Sequence, residues 1–123
     1  MLDATFILYV SDFDASRRFY TRLLGREPVP FEETFVMFFL ESGTRLGLLA
    51  QAAPDGSPQV PSGGFELDFA VAENTDVDRL HREWAEDGIA ILQPPHEMPF
   101  AYNFLATDRD GHRLRVYCRR VAG

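Results

Sequence analysis

The chain carries an internal repeat, weak in identity and clear in pattern, and a repeat restricts the available folds more than any single motif does. Residues 4–10, ATFILYV, are apolar and rich in β-branched and aromatic side chains, which reads as a buried strand. Asp12 or Asp14 can then cap a helix that carries Ala15, Phe19 and Leu23 on one face and stops at Gly25. The same order returns at Phe65. FELDFAV is a strand, Asn74 or Thr75 opens a helix with Val77, Leu80 and Trp84 at helical spacing, and Gly88 ends it.

The two halves also continue alike. After Gly25 come a short Pro-bounded segment, TFVMFFLE, a turn at Ser42-Gly43 and TRLGLLA. After Gly88 come IAILQ, a Pro-rich loop within residues 93–103, AYNFLAT, a turn around Asp110-Gly111 and HRLRVYC. Each half therefore reads βαβββ with a terminal hairpin. The expected class is α+β: one domain, 1–123, of two βαβββ modules whose mixed sheet curves into a cup with the helices outside. Module one spans residues 2–50 and module two residues 65–120. Between them the Pro-, Gly- and Ser-rich stretch 51–64 is a linker, long enough to let two chains exchange halves, so a homodimer is expected.

Composition narrows the partners. A formal charge of -7 over 123 residues argues against a nucleic acid, whose phosphates require a basic patch. The single cysteine, Cys118, fits a reducing compartment, and the N-terminal apolar run is broken by Ser11 and Asp12 too early for a signal peptide or a membrane span. A cytoplasmic protein without a membrane partner is expected.

Two stretches, YVSDFDASRRFYTRLLG in the first module and DRDGHRLRVY closing the second, together with the paired βαβββ pattern over essentially the whole chain, resemble the vicinal oxygen chelate superfamily. That group includes glyoxalase I, extradiol dioxygenases and the bleomycin- and phenazine-type resistance proteins. The resemblance implies a ligand in the cup and, in the enzymes, a metal held there by four side chains. Carried over by position, those four places fall on Thr5, Gly47, Glu66 and Arg115. Only Glu66 offers a metal donor, and an arginine is a fixed cation that a metal site excludes. The resemblance thus implies a member with no metal and no other cofactor. His81, His96 and His112 have no spacing that joins them into a second site.

Strand alternation gives the lining. If Thr5, Gly47, Glu66 and Arg115 face the cup, so do Ile7, Tyr9, Arg45, Leu49, Asp68, Ala70, Arg113 and Tyr117. A two-residue turn at Ser42-Gly43 adds Phe38, with Gly47 leaving room beside it. A two- or four-residue turn near Asp110-Gly111 adds Tyr102, Phe104 and Ala106, whereas a three-residue loop reverses that assignment. Tyr9, Phe38, Gly47, Glu66, Asp68, Tyr102, Phe104 and Arg115 are the expected ligand-binding residues, with no catalytic residue among them. Arg115 on an otherwise apolar strand needs a partner, and Glu66 is the expected one. His96, Met98 and Phe100 suit a pocket rim or a dimer interface, and Trp84 suits the core. Resistance-type sequestration of a planar aromatic or antibiotic-like molecule is the expected function. The alternatives are an enzyme related to the glyoxalases and dioxygenases that uses Glu66 or Asp68 for acid–base chemistry, and an interaction module whose cup is filled by its own side chains.

Overall fold

The computed structural model describes residues 5–51, 61–99 and 101–119. The expected linker lies for the most part outside the described residues, as do residues 2–4, Phe100 and Arg120. The polypeptide forms two compact units, Met1–Ser62 and Gly63–Gly123, one for each module of the repeat.

The first unit runs β1 (Phe6–Val10), α1 (Phe13–Leu24), β2 (Val29–Glu32), β3 (Phe35–Phe39) and β4 (Arg45–Ala50). The second repeats it as β5 (Glu66–Val71), α2 (Asn74–Glu86), β6 (Ala90–Met98), β7 (Ala101–Thr107) and β8 (Arg113–Arg119). The sheets have one topology, β1-β4-β3-β2 and β5-β8-β7-β6. In each, the opening strand lies parallel to the closing strand and the remaining pairs are antiparallel.

The helices begin and end for identifiable reasons. Asp12 caps α1, its carboxylate accepting from the Ala15 N–H at 3.1 Å, and Gly25 closes it in the left-handed conformation. The buried line of α1 is Ser16 and Tyr20 rather than the Ala15-Phe19-Leu23 stripe, whose members are half-buried. Helix α2 starts one residue earlier than a cap at Asn74 would place it, and two earlier than one at Thr75. Glu73 takes the cap position, and its N–H donates to the Asp76 carboxylate at 3.1 Å.

Each helix covers one face of its own sheet. In the first unit Leu8, Val10, Tyr20, Phe38, Leu46 and Leu48 are all sealed from solvent. In the second, Trp84 packs edge-on against Phe104 with ring centroids 5.2 Å apart, above fully buried Leu114 and Val116. Each such side chain contributes roughly 1.5–3 kcal/mol by leaving water.

The expected Pro-rich loop is instead strand. Residues 93–98 continue β6, with register shifts on both sides of Gln93. Proline lacks the N–H of a central strand, but β6 is the outer strand of its sheet, where irregular pairing leaves room for Pro94 and Pro95. β2, the outer strand of the other sheet, accommodates Pro30 beside a register shift in the same way.

Candidate functional site

The opposite face of the second sheet carries the polar residues. Leu114 and Val116 turn toward α2, so alternation sends Arg113, Arg115 and Tyr117 to the other side of β8. Parallel pairing sets Glu66 beside Arg113, Asp68 beside Arg115 and Ala70 beside Tyr117. On β7 the residues that share this face are Ala101, Asn103, Leu105 and Thr107, because Leu105 pairs with Arg115 and Asn103 with Tyr117.

This register corrects two expected site residues. Tyr102 and Phe104 lie on the helix side: the Tyr102 hydroxyl donates to Asp78 of α2 at 2.6 Å, and Phe104 is fully buried against His81 and Trp84. The cause is loop length. The Asp108 N–H bonds the His112 carbonyl, which leaves a three-residue loop, Arg109–Gly111, with Gly111 at φ +84°. Asp108 holds that loop shut, accepting from the backbone N–H groups of Asp110 and His112, each at 2.9 Å, and contacting the His112 ring at 2.7 Å.

Phe38 is corrected for the same reason. Leu40 pairs with Thr44, so the first hairpin also has three loop residues, and Gly43 sits at φ +93°. Phe38 therefore opposes Leu46 on the helix side, while Met37 opposes Gly47. Tyr9 and Gly47 do share the helix-distal face of the first sheet. Gly47 leaves no open space there, since a Cβ would fall 2.6 Å from the Ile7 Cδ1 and 3.0 Å from the Phe35 ring.

Glu66, Asp68 and Arg115 come together in a pocket of about 440 Å³ within the second unit, completed by Met98, Ala101, Asn103 and Tyr117. The Arg115 guanidinium is fixed from two sides. Its Nε donates to Glu66 Oε2 at 3.1 Å, and its Nη1 donates to the side-chain amide oxygen Oδ1 of fully buried Asn103 and touches the Met98 sulfur at 3.7 Å. Glu66 is thus the partner expected for Arg115. Asn103 and Ala101 escaped sequence reasoning; glycine at the third loop position of DRDGH was the signal that could have placed them.

The two carboxyls differ in electrostatics. A hydrogen bond with Asp68 and, after it, the bond and charge of Arg115 hold Glu66 below the ordinary glutamate range, against an opposing effect of burial. Burial first, then the hydrogen bond and charge of Glu66, push Asp68 up to about 6, with Arg115 opposing. Near neutral pH the floor of the pocket holds one fixed cation, one firmly ionised carboxylate and one carboxyl close to its titration point.

Comparison with known proteins decides the family. The model of the glyoxalase/bleomycin resistance protein/dioxygenase superfamily matches residues 3–116. The chain belongs to this superfamily. It is 29% identical over 113 residues to the phenazine antibiotic resistance protein EhpR of Enterobacter agglomerans, covering 89% of this chain and 86% of that one. A protein of Agrobacterium tumefaciens solved by solution NMR is 42% identical, with a TM-score of 0.85 over 98% of this chain and all of that one. A glyoxalase/bleomycin resistance protein/dioxygenase from Nocardioides, 21% identical, shares the fold with a TM-score of 0.82 over 100% of this chain and 87% of that one.

Within the superfamily the enzymes hold a metal, and the residues here do not fit one. Of the two corresponding positions in the second unit, one is Arg115, and its guanidinium already engages Glu66, the carboxylate at the other. Gly47 has no donor atom to offer. Among the described residues no group of three or more His, Cys, Asp or Glu side chains is placed to hold a metal ion. Among the same residues no helix is long and apolar enough to cross a membrane.

Proposed function

We propose that this chain binds a small, planar aromatic molecule by sequestration, without a metal, in the manner of the resistance branch of its superfamily. The observation that carries the reading is the pocket in the second unit. Met98, Ala101 and Tyr117 give it apolar walls, while Arg115, Glu66, Asp68 and Asn103 converge on its floor. The kinship with a phenazine resistance protein supports an aromatic ligand. An aromatic wall such as Tyr117 would add roughly 0.5–1.5 kcal/mol to a stacked ring beyond the burial of its area. In this reading the protein acts in the cytoplasm as a homodimer. Exposed Val29, Phe31 and Phe39 supply apolar surface that association would cover.

Native mass spectrometry of the purified protein tests the reading. A dimer free of stoichiometric metal that retains an organic adduct is the expected spectrum. A divalent ion firmly held by each chain contradicts it. Arg115→Leu then separates the roles of the guanidinium: phenazine affinity should fall with stability, whereas a stability change alone would make Arg115 purely architectural.

A second reading rests on Asp68. A carboxyl titrating at about 6 in a partly apolar pocket is suited to act as a general base at neutral pH. Turnover of a bound aromatic compound, lost in Asp68→Asn, would place the protein among the enzymes of the superfamily.

A further inference from the structure

The pocket floor has an uneven charge inventory. Glu66 and Asp68 stand two residues apart on one face of β5, and both carboxyls line the pocket. Arg115, the register neighbour of Asp68, gives its Nε to Glu66 and its Nη1 to Asn103. The side chain of Asp68 therefore faces the pocket without an ion pair among the described residues. With both carboxyls ionised the lining carries two negative charges against one positive.

We propose that the pocket takes an aromatic cation, a planar ring system bearing an amidinium or quaternary ring nitrogen, whose positive charge sits between Glu66 and Asp68 and balances the second carboxylate. The proposal rests on the sequestration reading and specifies its ligand. The ring lies against Met98, Ala101 and Tyr117, and the charged nitrogen lies between the two carboxylates, leaving the Arg115–Glu66–Asn103 frame in place. Binding is then an exchange of a cation for a proton. Affinity rises as pH rises through about 6, where Asp68 ionises.

Other charged groups leave this exchange to Asp68. On β8, Arg113 pairs in register with Glu66 and is exposed outside the lining, Arg115 is already committed, and Tyr117 is a wall. β7 offers no ionisable lining residue. On β6, His96 stands opposite Asn103 but bonds the Pro94 carbonyl through Nδ1 at 2.8 Å.

Isothermal titration with three probes of similar shape tests the proposal: N-methylacridinium, neutral phenazine and acridine-9-carboxylate, each at pH 5 and pH 7.5. At pH 7.5 the cation is expected to bind about tenfold or more tightly than the other two, and to lose about tenfold at pH 5. At pH 5, where Asp68 is largely protonated before the cation arrives, its binding should release close to one proton, read from the dependence of the heat on the ionisation enthalpy of the buffer. Asp68→Asn should abolish the proton release and level the three affinities. Phenazine or the carboxylate binding as tightly as the cation at pH 7.5, or cation binding at pH 5 with no proton release, overturns the proposal and leaves sequestration standing. Failure of all three probes to bind overturns both.

Discussion

The registers of the two sheets place Ile7, Phe35 and Gly47 of the first unit where Asp68, Asn103 and Arg115 stand in the second. In the first unit the glycine lets two apolar side chains close over its backbone, so tightly that a methyl group there would have to push the Ile7 terminus and the Phe35 ring aside. In the second an arginine stands at the same point, and a carboxylate and an amide take the places of the apolar pair around it. One backbone design thus yields one face that packs on itself and one that keeps an open, polar floor. The difference lies in a few side chains at equivalent register positions, while the helix-facing sides remain apolar in both units. The repeat supplies the scaffold, and the break in the repeat marks the site.

Substitutions can sharpen this contrast. The largest effect is expected from Phe104→Ala, which empties a fully buried position against Trp84 and His81 and should destabilise by about 3–5 kcal/mol in urea denaturation. A small stability change together with lost ligand binding would instead put Phe104 in the pocket. Gly47→Val follows, at about 1–3 kcal/mol, because its methyl groups must displace Ile7 and Phe35. If that variant kept full stability, the first face would be open like the second. Tyr102→Phe should lose about 1 kcal/mol with the hydrogen bond to Asp78 and leave phenazine affinity unchanged, as measured by parallel denaturation and titration.

The smallest effect carries a sign. The folded protein binds the Asp68 proton more tightly than the unfolded chain does, since the group moves from 3.8 up to about 6. Its contribution is therefore absent at low pH and grows unfavourable as pH rises between those values. Asp68→Asn should stabilise the protein at pH 7.5 by about 1 kcal/mol or less, because solvent screens so exposed a carboxyl, and should bring no gain near pH 3.5. Equal gains at both pH values would show that the carboxyl is not strained by its surroundings.

The repeat made the architecture legible, because strand and helix periods, caps and turn residues all agree in each half. Glu66, Asp68 and Arg115 were legible for a simpler reason. They lie on the opening and closing strands of the module, and alternation along each strand assigns their faces. Phe38, Tyr102 and Phe104 were misplaced because their faces depend on counting through a hairpin, where one residue more or less reverses every side chain. Both hairpins use three loop residues with glycine at the third, so one geometric rule explains every misplaced site residue. Asn103 was hidden by the same miscount. The strand through Pro94 and Pro95 was hidden by the ordinary effect of proline, which the outer position of β6 relieves.

The pocket on the second sheet is the proposed binding site for a small aromatic molecule. Titration of the uniformly 15N-labelled protein with phenazine, followed by two-dimensional NMR, tests it most directly. Saturable shifts should centre on the backbone amides of Asp68, Asn103, Arg115 and Tyr117. Shifts centred instead on Phe104, Trp84 and their neighbours under α2, or no saturable shifts at the pocket residues, would contradict it.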